Sequence, residues 1–256
     1  MVGFSIKTNV SAGWLSNSAN TEFGNFISSM RKLSSGLRIN SGADDPAGLV
    51  ISEQLRSRIA SLNQEIENTS AQISKYETAS SQVMEMRSKL TEMRTLAIGA
   101  ANEGFNSEAA QQAYANTANY IADRFNADAA NASYNGIALF DGSETALGEV
   151  TELTGVDLST PQAAQDSIAA IDEKIAEIDA LQVDIGATQK NELESQRRSL
   201  EVTSQNLQAA ESQLRDTDFA MEYSSMVGNL IRMQSSLALM SHHEVSSKGV
   251  FKLLSS

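Results

Sequence analysis

Apolar residues recur along most of the chain at alternating steps of four and three. From Pro46 to about Ile98 the stripe runs Leu55, Ile59, Leu62, Ile66, Thr69, Ile73 and Tyr76. It resumes as Ala79, Val83, Met86, Leu90, Met93 and Ala97 after one extra three-step, the signature of a stammer in a coiled coil. A stripe this narrow cannot be buried all round, so it predicts a long helix with a partner. The partner is downstream. Ile168, Ile171, Ile175 and Ile178 open a second stripe, and Leu193, Leu200, Leu207, Leu214 and Met221 continue it at intervals of seven. Gly186 interrupts that pattern and marks a soft point.

Two prolines punctuate the chain, and both predict helix starts. Asp45-Pro46 and Thr160-Pro161 each set an N-cap acceptor before a Pro at the first helical position, where its missing N–H costs nothing. A shorter helix is predicted between the long ones, capped by Ser107, faced by Tyr114, Thr117, Ile121 and Phe125, and ending near Asn131. Asn135-Gly136 and Asp141-Gly142 flank a short apolar run and predict a hairpin. Residues 143–160 are acidic and aperiodic and read as a surface loop. The expected fold is dominated by α-helix: long antiparallel coiled-coil helices, one short helix and one β-hairpin.

The two ends are helical in pattern as well. Leu15, Ala19, Phe23, Phe26, Met30, Leu33 and Leu37 keep a one-sided spacing, and Val227, Leu230, Ile231, Leu237 and Met240 form a broad apolar face. Neither end carries enough charge to be solvated as a lone helix, which points to burial against partner chains. Charge sharpens that picture. The net charge of the 256 residues is −13, but residues 1–43 carry +3 and residues 223–256 carry +2, which leaves −18 on the middle. Two weakly basic ends flank an acidic body, and they belong in a different environment from it.

Composition removes several kinds of chemistry. No Cys means no disulfide framework and no thiolate nucleophile or ligand. The acidic balance argues against a nucleic-acid binder. No stretch reaches the roughly 20 apolar residues of a spanning helix, so membrane insertion is not expected, and no signal-peptide core is visible. The only histidines, His242 and His243, are adjacent, and adjacent helical residues diverge by about 100°. Zinc helices use i, i+4 pairs, and Ser247 stands where a second histidine would belong. An enzyme or metal-binding helical protein centred on this pair is the reading from another class. Carboxylate pairs such as Asp44/Asp45 read as caps or solvated faces. No cofactor is expected, and neither is an enzyme.

The motifs themselves carry a resemblance. Residues 31–48, RKLSSGLRINSGADDPAG, are similar to the N-terminal signature of bacterial flagellin. Arg94 to Asn102, Tyr134 to Gly142, Asp184 to Glu194 and Glu211 to Asp218 resemble four further flagellin motifs, in family order. The C-terminal stretch keeps the family's Val-Phe-Lys-Leu-Leu ending at Val250–Leu254 but replaces the Ala-Gln-Ala-Asn before it.

The resemblance implies a minimal flagellin. Residues 1–43 and 223–256 would form an inner-tube domain. Residues 44–142 and 161–222 would be the two halves of a rod, with 143–160 a short loop in place of the family's variable outer domains. The implied function is a structural subunit that polymerises into the secreted, extracellular flagellar filament for motility; a hook–filament junction protein is the alternative. Leu15, Phe23, Phe26, Met30, Leu33, Leu230, Ile231 and Leu237 are the expected subunit-packing residues. Leu55, Ile59, Leu62, Ile66, Ile73, Leu193, Leu200, Leu207 and Leu214 are the expected rod core. Implied partners are further copies of the chain, the flagellar export apparatus, a C-terminal export chaperone, the filament cap and the hook-junction proteins. The rod surface that an animal innate immune receptor recognises in many members falls on Glu92, Arg94, Leu96 and Arg124. Glu92 and Arg124 reverse the usual charges, so weak or absent recognition is expected.

Overall fold

A computed structural model describes residues 10–104, 106–143 and 146–254; the side chains of Ser11 and of residues 243–254 lie outside the description. The elements in order are α1 (Val10–Ser35), α2 (Pro46–Ala100), α3 (Glu108–Asn131), β1 (Ser133–Tyr134), β2 (Ile137–Ala138), α4 (Pro161–Ala187), a π-helical turn (Thr188–Leu193), α5 (Glu194–Arg215) and α6 (Phe219–Leu254). The helix starts fall where the caps predict. Asp45 Oδ1 accepts from Gly48 N–H, Ser107 Oγ from Ala110 N–H and Thr160 Oγ1 from Ala163 N–H. The hairpin pairs Tyr134 with Ile137 in antiparallel register. Asn135 (φ 51°) and Gly136 (φ 78°) supply the two left-handed positions that such a tight turn requires.

The chain divides into two compact units, Met1–Ala60 with Ser204–Ser256 and Ser61–Thr203. The second holds the apolar core. Val83, Met86, Leu90, Met93 and Ala97 of α2 are sealed against Ile121 and Phe125 of α3 and Ile171, Ile178 and Ile185 of α4. The polar edges fix the orientation. Arg87 pairs with Asp179 and Arg94 with Asp172, so one heptad forward on α2 is one heptad back on α4. Lys89 of α2 bridges to Asp128 of α3 and to Glu85 on its own helix.

Residues 143–160 are not the surface loop expected from the sequence. Val150, Leu153 and Leu158 are buried in the core of the second unit. They enter it from backbone without regular secondary structure and at irregular intervals, so no helical or strand period announces them. Polar side chains fasten the strap at both ends. Asn126 accepts from Leu153 N–H (2.8 Å) and donates to its carbonyl (3.2 Å). Buried Gln111 donates to the Leu158 and Ala100 carbonyls. Ser167 Oγ accepts from Asp157 N–H, and the Lys174 ammonium donates to the Thr151 carbonyl (3.0 Å) and pairs with Glu177.

The π turn has a cause in the spacing of the buried stripe. Ile171, Ile178 and Ile185 step by seven, as do Leu193, Leu200, Leu207 and Leu214, but Ile185 to Leu193 is a step of eight. In an α-helix the extra residue would rotate everything beyond it by about 100°, carrying the leucines off the core face. One π turn absorbs that residue and restores the phase. Of the expected rod-core positions, Leu62 and Leu193 are buried, while Leu55, Ile59, Ile66, Ile73, Leu200, Leu207 and Leu214 are half-buried.

Candidate assembly surface

The first unit is built around a hairpin of helices. α1 and α6 run antiparallel: Glu22 pairs with Arg232 and Lys32 with Glu222, ten residues on along one helix and ten back along the other. Leu15, Phe26 and Leu33 of α1 and Leu230 of α6 are half-buried, and Ala19 is buried.

The turn from α1 to α2 is a hydrogen-bonded knot. Gly36 takes a left-handed φ of 73°, which ends α1. Its carbonyl accepts from Thr217 N–H, and Arg38 N–H donates to the Arg215 carbonyl, so the chain pairs briefly with the link before α6. The Arg38 guanidinium adds a bond to the Leu214 carbonyl. Asp44 Oδ2 accepts from the N–H groups of Asn40 and Ser41 and from Ser41 Oγ. The Ser41 hydroxyl is the main influence holding its carboxyl below the usual range, with desolvation opposing it. Ile39 is buried beneath the turn, and a side chain at Gly48 would stand 2.8 Å from Ile39 Cδ1. Arg215 reaches Glu53 (2.8 Å) and Ser52 at the start of α2, and that bond lowers the Glu53 pKa.

Among its described residues this unit has almost no apolar core. Of the 24 buried apolar residues among those described, only Ala19 and Ile39 belong to it. Of the 19 exposed large apolar residues, 13 do. Phe23, Ile27 and Met30 form a stripe on α1 beside its buried face, and Trp14 is 71% exposed. On α6, Met221, Tyr223, Ile231, Leu237 and Leu239 are exposed while Met226, Leu230, Met233 and Met240 are half-buried, so apolar side chains circle the helix. A helix apolar all round is one whose place is in an interior. An exposed apolar area of this extent marks an interaction site.

The model of the bacterial flagellin N-terminal helical region matches residues 6–145, and that of the C-terminal helical region matches residues 168–254. The chain belongs to the bacterial flagellin family. A flagellin from Halalkalibacterium halodurans is 36% identical over 247 residues, covering 88% of this chain and 90% of its own. A Clostridium tyrobutyricum flagellin is 36% identical over 60% of this chain, and Vibrio anguillarum flagellin A is 38% identical over 54%. The chain spans only 41% and 36% of those two proteins. The Bacillus cereus flagellin crystal structure aligns over 52% of this chain and 88% of its own, with TM-score 0.48 and 20% identity.

Three of the five flagellin motifs have a physical task in the structure. The 31–48 signature is the knot around Ile39, and the 211–218 motif is the end of α5, the single antiparallel bridge from Asp216 to Leu37, and the capping residue of α6. Asp218 Oδ1 accepts from Ala220 and Met221 N–H and so starts α6. The 184–194 motif contains the π turn. Flagellins are structural proteins, and the described residues hold no cluster of three metal-ligating side chains and no helix long and apolar enough to cross a membrane. His242 is exposed, and His243 lies outside the described side chains. Of the expected immune-receptor residues, Glu92 and Arg124 are exposed, Arg94 is held by Asp172, and Leu96 packs against the core. Sequence reasoning missed the Arg215–Glu53 and Lys174–Thr151 contacts, because partners so distant in sequence leave no local signal.

Proposed function

We propose that this chain is the secreted structural subunit of a bacterial flagellar filament, polymerising through the first unit in the service of motility. The observation that carries the reading is the contrast within one chain: a second unit with its own core, and a first unit whose large apolar side chains face outward. In this reading residues 1–43 and 223–256 form the inner tube, 44–142 and 161–222 the rod, and 143–160 a strap where longer relatives extend. Phe23, Met30, Ile231 and Leu237 would meet neighbouring copies; Leu15, Phe26, Leu33 and Leu230 would hold the helix pair together. Burying one Leu or Phe side chain contributes about 1.5–3 kcal/mol, so many must be buried together before ordering is offset. Assembly is then cooperative. Further partners of this reading are an export apparatus, a C-terminal chaperone, a filament cap and hook-junction proteins, and its site is the outside of the cell. Relatives that carry the name flagellin favour a filament subunit over a junction protein. The test is electron microscopy of purified chain after seeding: long helical filaments are expected, and a protein that stays monomeric or stops at short oligomers would sink the reading.

A further inference from the structure

The region around the π turn collects four departures from ideal packing. The turn itself is the first, a higher-energy insertion in an otherwise continuous helical rod from Pro161 to Arg215. The second lies opposite, where the α2 stripe makes its extra three-step from Tyr76 to Ala79. The two faults stand at one level. Ser80 accepts from Gln182 Nε2 just before the turn, and the Tyr76 phenol, whose pKa is raised chiefly by burial, also feels the Glu192 carboxylate inside the turn. The third is a cleft of about 280 Å³ between the helices beside the turn, lined by Ser70, Ile73, Ser74, Glu77, Glu194 and Arg197. The fourth is a pair of buried polar atoms that flank the turn, Gln182 Oε1 and Arg197 Nε, with no hydrogen-bond partner among the described residues. Buried polar atoms without a protein partner are uncommon in native structures, and here they mark packing that is less complete than along the rest of the seam.

The position of the turn is also pinned. Were it to migrate toward the N-terminus, Gly186 would take the inward place of Ile185; were it to migrate the other way, Glu192 would replace Leu193. Neither substitute offers an apolar side chain to the core, so the fault stays between residues 185 and 193.

We infer that the π turn Thr188–Leu193 is a fixed joint of the second unit, the point at which its long helical rod bends and opens first. The extra residue keeps the leucines in phase, and the loosened packing around it gives the rod a defined place to yield. The turn and its surroundings lie within the second unit, so the inference does not depend on how the chain assembles.

Hydrogen exchange on the full chain tests it. Amides of residues 187–195 should exchange at least about tenfold faster than those of 167–178, which lie on the same rod. Deleting Asn191, an exposed residue of the turn, restores a spacing of seven between the flanking core residues. The deletion should slow exchange at the joint to that of its neighbours while leaving the melting temperature unchanged or higher. Deleting exposed Ser199 instead makes the step from Leu193 to Leu200 six and should lower the melting temperature. Uniformly slow exchange along the native rod would overturn the inference. So would an Asn191 deletion that destabilises or unfolds the chain as much as the Ser199 deletion does.

Discussion

Gly48 shows how one residue can fix a turn. Its missing side chain admits Ile39 and the Asp45 cap at the head of α2. Gly48→Ala forces both aside and should cost about 1–3 kcal/mol in chemical denaturation, as overpacking does. Asp44 is a second such residue. Its carboxyl titrates below the ordinary value of 3.8 when folded, chiefly through the Ser41 hydroxyl. The unfolded chain therefore binds the proton more readily, and the stabilisation is fully present above that ordinary value. It is lost as pH falls through the lower, folded value. Asp44→Asn should therefore destabilise the chain at pH 7 and pH 5, and the gap from wild type should narrow by pH 3. A gap that is constant across that range would show that the charge is not what matters.

At the scale of elements, the pairing of α2 with α4 rests on its apolar seam more than on its ion pairs. Arg94 and Asp172 are each more than 40% exposed, and Asp172 titrates low because the guanidinium bonds it. A double-mutant cycle on the pair should show little or no coupling, since solvent screens both charges. Ile178→Ala, in the sealed core, should cost about 2–5 kcal/mol. The heptads, caps and hairpin of these elements were legible in the sequence because each is a local pattern: 3.6-residue periodicity, an acceptor before a proline, an Asn-Gly pair. The strap 146–158 was not, since Val150, Leu153 and Leu158 follow no period and their burial depends on a cavity that α2, α3 and α4 create together. The π turn lies between. Its eight-residue step stands in the sequence, but the step acquires meaning only once Ile185 and Leu193 are seen on the same face.

For the whole molecule, the contrast between the units predicts opposite sensitivities. Phe23→Ser removes an exposed ring from the first unit and should change monomer stability by no more than about 0.5 kcal/mol. Polymer formation, followed by light scattering, should nevertheless fail. Limited proteolysis of the monomer should trim residues 1–43 and 223–256 and spare the body between them; a monomer resistant at both ends would contradict the assembly mechanism. The exposed, charge-reversed Glu92 and Arg124 should leave a receptor reporter assay weak at ordinary flagellin doses, and a full response would dismiss that expectation.

The sequence by itself determined which segments are helical, where they begin, that the acidic middle differs from the weakly basic ends, and to which family the motifs point. These follow from interactions within a few residues or from charges that need no partner to be counted. Tertiary structure alone decided which half of each apolar stripe is sealed and which faces outward. It also decided that an acidic, aperiodic segment closes the core, and that Phe23 and Phe26 have different surroundings. Burial depends on what arrives from elsewhere in the chain, and no local pattern encodes that arrival.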